Sequence, residues 1–566
     1  MSDAKRFRWF DWLIGLTIAA LYVVLLVKTA HTLGYARDEG FYFSAAESYA
    51  AWFEQLWAHP KEAITRAVVD RSWAANHEHP ALAKSAFALS WMLFYKKWHL
   101  FAEEGTSFRF PGMLSGGMVL LILYVWGTRA RSRAAGLGAA LAFALIPQVY
   151  YHSHLDCFDI PIVAAWLACA YAYWRSLTGG GIRWAIMTGL LFGLALDTKH
   201  NSWFLPIAFV LHTLLLHVGS YGKELRAGTL RIPAALPAMA ILGPVVFYAL
   251  WPWIWNDTGA RLEGYIAFHM GHEYYNMEFF GHTYWKPPMP RGYAWVMTAA
   301  TVPVITLACM MIGILRPILA RVRSGVESTW QGGARLVSRL PVLEDDRFQG
   351  MTTLLWLLCI FINYSAWLSS STPIFGGTKH WITAYPFMAL FAGQGFAWAL
   401  EQARKSALPV LSHRVLGPVL IGAACVSAPL VETLRSHPFG LSTYTPLVGG
   451  NAGGATLGLN RGFWGYQTGS VLPWLNQHAG PGASVSIHDT AYQSWEMFVR
   501  DGRARRDLRV AWSPADCDFG IYHHEQHMEG VEYQYWVAHG TTAPAYIPLY
   551  DGVPVVWVYA RPGAVK

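Results

Sequence analysis

Residues 12–27 read WLIGLTIAALYVVLLV, an apolar run without a charged side chain, and Lys5, Arg6 and Arg8 precede it. A helix needs about 20 mostly apolar residues to cross the hydrocarbon core of a bilayer. The run resembles a signal peptide, but it lacks a small-residue cleavage site. It therefore predicts a first membrane helix that is retained.

Further apolar segments follow along the chain, and together they define the fold class. The eleven predicted spans are residues 10–31, 108–128, 134–151, 159–177, 184–198, 202–218, 233–254, 292–316, 351–370, 380–400 and 413–431. Of the 566 residues, 54% are hydrophobic and only 14% are charged, a balance typical of a chain folded in lipid. We expect an all-α polytopic membrane domain with about 11 transmembrane helices.

The loops between these segments carry an asymmetric charge. Lys and Arg remain preferentially on the cytoplasmic side of a membrane. With the amino terminus inside, the predicted inner loops hold Arg129, Arg131, Arg133, Arg175, Arg183, Lys223, Arg226, Arg231, Arg316, Arg321, Arg323, Arg335, Arg339, Arg347, Arg404, Lys405 and Arg414. The net charge of +8 is spread over these loops and forms no continuous patch, which argues against a nucleic-acid partner.

This orientation predicts a transmembrane domain over residues 1–431, with large outer loops at 32–107 and 255–291. The apolar segment 81–100 is interrupted by lysines, so we expect an amphipathic helix on the outer surface there. Residues 317–350 would form the one sizeable cytoplasmic loop. The tail, residues 432–566, has Gly-rich turns and alternating runs that predict a small α/β extracytoplasmic domain.

Acidic residues stand at the outer ends of two predicted spans. Asp38 and Glu39 follow the first span, and Asp156 and Asp159 lie in the turn between the third and fourth. A carboxylate is costly inside the bilayer, and at an outer end it can serve as a general base or bind a cation. The alternative for Asp38 is a solvated helix end. We expect a functional role for Asp156 and a helix-capping role for Asp159.

Cationic and aromatic residues recur on the same predicted face. Arg109, Lys199, Lys379 and His380 also stand at outer span ends, where each alone is typical of a side chain reaching the headgroups. Together they indicate an anion site. The loop that contains His269, His272, Glu273 and Tyr274 has the composition of a carbohydrate contact, and equally that of an interfacial anchor. The run His77-Glu78-His79 has metal-ligand chemistry, but it lacks the HExxH spacing of a zinc protease.

Four motifs together resemble the GT-C class of glycosyltransferases, in particular the protein O-mannosyltransferases and the bacterial aminoarabinose transferases. They are Asp38-Glu39 followed by aromatics, His79-Pro80-x-Leu82-x-Lys84, Arg109-Phe110-Pro111-Gly112 and Asp156. The tail from Gly449-Gly450 to Phe463-Trp464-Gly465 is similar to the extracytoplasmic ends of bacterial relatives. In one respect the chain departs from the mannosyltransferases, because Ala81 stands where the family element normally has a second proline.

The resemblance implies a polyprenyl-phosphate sugar donor and an active site at the outer membrane face. It implies that Asp38 is the catalytic base, Glu39 its neighbour and Asp156 a second acid. Lys84 or Lys199 would contact the phosphate, with Arg109, Lys379 and His380 as further candidates. His79, with the loop residues above, would contact substrate.

No cofactor is required by the sequence, although Asp38, Glu78 and Asp156 permit a divalent metal. The expected partners are a lipid-linked sugar donor, membrane lipids and an acceptor protein, lipid or glycan, and the composition is typical of a bacterial inner membrane protein. The rival functions are a transporter or flippase of a lipid-linked sugar, which would place polar groups near the bilayer midplane, and a structural membrane subunit. No motif specifies the sugar, the acceptor, the lipid length or the oligomeric state.

Overall fold

The computed structural model describes residues 7–216, 232–330 and 344–566, and it is mostly helical. Five helices in these ranges are long and apolar enough to cross a membrane. They are Trp9–Thr32, Glu104–Ala130, Asp159–Leu196, Phe348–Leu368 and Leu416–Ser436. A sixth span is formed if Tyr293–Thr301 and Val304–Leu319, bent by 117° at their junction, count as one. The protein is an integral membrane protein.

Within the described residues, each of the eleven predicted segments overlaps one or two helices. These helices are Trp9–Thr29, Glu104–Ala130, Arg133–Ala144, Pro147–His152, Asp159–Arg175, Gly181–Leu196, Phe204–Leu216, Ala235–Leu250, Tyr293–Thr301, Val304–Trp330, Glu344–Ser365, Tyr385–Arg404 and Leu416–Ser436. Several are shorter than a full span, and Pro147 starts a new helix within segment 134–151. The number eleven therefore stays a prediction.

The predicted inner ends of the helices lie together. Arg133 pairs with Asp11 at 2.6 Å, and Arg131 donates to Thr353 Oγ1 at 2.9 Å. This grouping agrees with the orientation that the basic loops predict. Part of the inner charge lies outside the described residues, namely Lys223, Arg226, Arg231, Arg335 and Arg339. The predicted loop 317–350 begins within the helix Val304–Trp330, and its middle is also outside the described residues.

The first outer region is helical and well packed. Its helices are Arg37–Ala58, Pro60–Ala63, Arg66–Trp73 and Leu82–Ser90. The last of these lies in the segment 81–100 that we expected on the outer surface, and it is not among the candidate spans. It buries Phe87 and Ala88 completely. The second outer region has the helix Thr258–Met270 and a hairpin of β1, Met277–Phe279, and β2, His282–Tyr284.

The tail contains the α/β unit that the sequence predicts. Its sheet is formed by β3, Ser484–Ile487, β4, Arg509–Ala511, β5, Phe519–His523, and β8, Val556–Ala560. The order is β4-β3-β5-β8, with β3 parallel to both neighbours and β8 antiparallel to β5. A short hairpin pairs β6, Leu549–Tyr550, with β7, Val553–Pro554, and the helices are Gly450–Thr456, Thr468–His478, Tyr492–Arg500 and Glu529–His539.

The tail packs directly on the first outer region and shares a hydrophobic core with it. Ser494 Oγ donates to Ala36 O at 2.9 Å, and Arg503 donates to Leu33 O at 2.8 Å. The helix Leu416–Ser436 runs through the predicted domain boundary at residue 431. The division into residues 1–431 and 432–566 stays a prediction.

Candidate active site

Asp38 is the second residue of the helix Arg37–Ala58, where the positive end of the helix dipole favours a carboxylate. Its Oδ2 lies 3.0 Å from Lys379 Nζ, and the two side chains are 22% and 11% exposed. Burial raises the pKa of Asp38, but the charges of Lys379 and Arg37 outweigh this effect and hold the pKa below its ordinary value. The carboxylate is therefore ionised at neutral pH.

A second acid and lysine pair lies beside the first. Lys199 Nζ is 2.7 Å from Asp159 Oδ1, and His152 Nδ1 is 3.6 Å from the other oxygen of Asp159. Asp159 is close enough to Asp38 for their charges to interact. Two carboxylates and two ammonium groups, each from a different chain segment, thus meet at one place. We call Asp38, Asp159, Lys199 and Lys379 the charged cluster.

Glu39 lies next to Asp38 in sequence but points away from the charged cluster. Its two oxygens accept from Arg109 Nε at 2.7 Å and Nη2 at 2.8 Å, and both side chains are almost completely buried. Arg109 also donates to the carbonyls of Ala30, Leu33 and Gly34. All five N–H groups of a guanidinium have acceptors in such an arrangement. The pair therefore fastens the first outer region to the helix Glu104–Ala130, and Arg109 has no donor left for a phosphate.

The ammonium group of Lys84 is likewise hydrogen-bonded within the protein. Its Nζ donates to Asn76 O at 2.5 Å and to His79 O at 2.9 Å, and the side chain is fully buried. Burial lowers the pKa of Lys84 to about 7, although the carboxylates of Glu78 and Asp197 oppose this shift. The contacts place Lys84 as the anchor of the loop 76–79 rather than as an open phosphate ligand.

Asp156 is placed differently from the sequence expectation. It is fully buried, its backbone N–H donates to Glu39 Oε1 at 3.0 Å, and neither carboxyl oxygen has a hydrogen-bond partner among the described residues. Burial, with the nearby charge of Glu39, raises the pKa of Asp156 well above its usual value. Asp159, for which we expected only a capping role, is the acid of this turn that joins the charged cluster.

Three histidine side chains, His79, His200 and His269, pack against one another near the charged cluster. The ring of His269 lies 4.2 Å from His200 and 5.4 Å from His79, centroid to centroid. Burial lowers the pKa of His269 to about 4, so the ring is neutral near pH 7. His380 contacts the backbone of Phe375, whose ring stacks on His272 at 4.2 Å.

The remaining predicted substrate contacts, Glu273 and Tyr274, and the metal candidate Glu78 lie in loops and bond to residues of those or neighbouring loops. Tyr274 donates its hydroxyl to Ser371 O at 2.6 Å, and Glu273 O is 2.9 Å from His272 Nδ1. Glu78 Oε1 accepts from Asn76 Nδ2 at 2.7 Å. Among the described residues no group of three or more His, Cys, Asp or Glu side chains has the spacing of a metal site. The metal candidates Asp38, Glu78 and Asp156 are thus not gathered around one point.

The tail supplies residues that sequence reasoning missed. Lys379 Nζ lies 4.1 Å from the centre of the Trp464 ring, a cation–π contact, and the Trp464 carbonyl accepts from Arg37 N at 2.7 Å. The Arg37 guanidinium pairs with Asp489 at 2.7 Å. The only sequence signal was the Phe463-Trp464-Gly465 motif, and nothing in it names Lys379 as its partner.

A family model described as dolichyl-phosphate-mannose-protein mannosyltransferase matches residues 84–248. The resemblance to GT-C membrane glycosyltransferases is thereby confirmed. The matched range includes Asp159 and Lys199 but neither Asp38 nor Lys379. Among curated proteins, no sequence matches this chain.

Solved structures are similar at low identity. ArnT from Cupriavidus metallidurans bound to undecaprenyl phosphate aligns with 14% identity over 98% of this chain and 99% of its own, with a TM-score of 0.44. The archaeal oligosaccharyltransferase AglB from Archaeoglobus fulgidus, in complex with an inhibitory peptide and a dolichol-phosphate, aligns with 12% identity over 94% of this chain and 72% of its own, with a TM-score of 0.47.

Proposed function

We propose that the protein transfers a sugar from a polyprenyl-phosphate donor to an acceptor hydroxyl at the outer face of the membrane, with Asp38 as general base. The observation that carries the proposal is the charged cluster, in which an ionised carboxylate lies 3.0 Å from a lysine and beside a second acid and lysine pair. The family match over residues 84–248 supports the donor class.

The reaction needs two kinds of group, and the charged cluster has both. As the bond from sugar to phosphate breaks, the phosphate gains negative charge, which Lys379 and Lys199 would stabilise. The acceptor hydroxyl loses its proton to Asp38 and attacks the anomeric carbon from the opposite side, with inversion. A polyprenyl phosphate is already a good leaving group, so no strong general acid is required.

The lysines of the resting site are already paired with carboxylates. A donor phosphate that contacts Lys379 would share or take this cation from Asp38. The pKa of Asp38 would then rise, because its strongest stabilising charge is reduced. Donor binding thus makes Asp38 a better base at the moment when the acceptor must be deprotonated. A transporter gains nothing from such coupling, and its polar groups belong near the midplane rather than at helix ends.

The test is Asp38→Asn in purified full-length protein. Asn keeps the size and one acceptor oxygen but cannot take a proton, so we expect turnover to fall by about a hundred- to ten-thousand-fold. Turnover is measured as polyprenyl phosphate released from synthetic short-chain donors that carry mannose, glucose or aminoarabinose. Asp70→Asn is the matched control, since Asp70 is an acid of the same outer region that pairs with Arg261. Wild-type turnover in Asp38→Asn would refute the base assignment.

A further inference from the structure

A cleft of about 560 Å³ lies between the helix Arg37–Ala58 and the tail. One wall has Phe43, Ser44 and Glu47, and the other has residues of Tyr492–Arg500 and the segment 506–512. Its size is within the range of small-ligand sites. None of its lining residues belongs to the charged cluster, so the cleft is a separate site.

Two aromatic rings at the cleft are exposed to solvent. Trp512 is 79% exposed and Tyr492 is 41% exposed, and their ring centroids are 5.6 Å apart at an angle of 37°. An exposed tryptophan loses hydrophobic free energy unless something covers it. The faces of such rings are electron-rich and attract the weakly positive C–H groups on one face of a sugar ring.

The polar groups of the cleft indicate the charge of the ligand. Arg500 is paired with Glu47 at 2.6 Å. Arg506 is exposed and makes no ion pair in the part of the chain that the structure describes, and Arg509 uses only Nε, on Gly482 O. These two guanidinium groups retain free N–H donors, which suit a carboxylate or phosphate in bidentate geometry. The carboxylate of Glu496, also in the lining, can accept from hydroxyl groups.

We propose that this cleft binds an acidic saccharide, with Trp512 and Tyr492 as the platform for the sugar ring and Arg506 and Arg509 as the ligands of its anionic group. Binding in this cleft does not require Asp38 to act as a general base. Because the cleft lies between the helix Arg37–Ala58, which carries Asp38, and the tail, which holds Trp464, a saccharide bound there would contact both parts that complete the charged cluster.

The test uses full-length protein in nanodiscs and isothermal titration with trigalacturonate as the acidic probe and maltotriose as the neutral one. We expect trigalacturonate to bind more tightly, and Trp512→Ala to weaken it by at least about tenfold. The double variant Arg506→Gln with Arg509→Gln should remove the preference for the acidic probe. Trp57→Ala is the matched control, since Trp57 is 93% exposed and does not line the cleft.

Asp38→Asn separates this site from the transfer site, and it should bind trigalacturonate like the wild type. Loss of binding in that variant would place the saccharide at the charged cluster and overturn the proposal. The proposal also fails if Trp512→Ala binds normally, or if no probe binds at millimolar concentration. The latter result is expected if the bilayer covers the aromatic pair.

Discussion

Asp38 and Glu39 are neighbours in sequence, but their side chains lie in different environments. Successive residues of an α-helix point about 100° apart, because one turn contains 3.6 residues. Glu39 accordingly faces the buried Arg109, while Asp38 faces Lys379 at the cluster. The sequence predicts that both acids lie at this helix end. It does not show which acid forms the buried ion pair and which faces the site, because that depends on the rotation of the helix about its axis.

Glu39→Gln should therefore act on stability. Removing one charge of a buried ion pair leaves the other uncompensated, at a cost of about 3–5 kcal/mol. We expect a clearly lower melting temperature in detergent for Glu39→Gln. Asp38→Asn, whose carboxylate is partly exposed, should melt near the wild type. Normal melting of Glu39→Gln with lost turnover would instead assign Glu39 to the reacting groups.

Lys199→Met should weaken the donor more than the acceptor. Met keeps the length and apolar bulk of the side chain but removes the charge that would face the phosphate. Asp159 then keeps only its longer contact, to His152 Nδ1. We expect a raised donor KM with little change in the acceptor KM. Lys405→Met is the control, since Lys405 is an exposed lysine paired with Glu401. An unchanged donor KM would leave Lys199 only the role of orienting Asp159.

At the scale of elements, the turn 153–158 is held by close backbone contact. A Cβ on Gly112 would lie 2.4 Å from the carbonyl oxygen of Leu155. This contact seats the turn, which holds Asp156 and leads into the helix that begins at Asp159, against the helix Glu104–Ala130. The sequence predicts both elements, but not which acid the contact turns inward. The sequence favours Asp156 for the functional role because Asp159 stands where an acid caps the following helix.

Gly112→Ala should separate these elements. The added methyl meets backbone rather than a flexible side chain, so overpacking of about 1–3 kcal/mol is expected, with reduced turnover because Asp159 moves. Gly422→Ala is the matched control. A Cβ at Gly422 meets nothing within 4 Å, and alanine is the better helix former. If both variants melt alike, the contact at Leu155 does not constrain the turn.

At the scale of the whole molecule, the candidate site combines segments that are far apart in sequence. Asp38, Asp159, Lys199 and Lys379 come from four parts of the predicted membrane domain, and the tail adds Trp464. Apolar segments, basic loops and the α/β tail could be predicted because each is a local pattern. The pairing of Arg37 with Asp489, 452 positions away, has no local pattern and required the fold.

The charged cluster and the tail are expected on the outer side of the membrane. Basic loops favour the cytoplasm, and the helix ends that carry Asp11, Arg131 and Arg133 meet on the side opposite to the charged cluster. Reporter fusions after Ser324 should therefore be cytoplasmic, and fusions after Lys566 extracytoplasmic, because the predicted spans 351–370, 380–400 and 413–431 separate them. A fusion after Gly281, in the second outer region, should behave like the one after Lys566. A fluorescent protein reports the inner side and alkaline phosphatase the outer side. If Ser324 and Lys566 report the same side, the number of spans between them is even, and the predicted orientation of the chain is wrong.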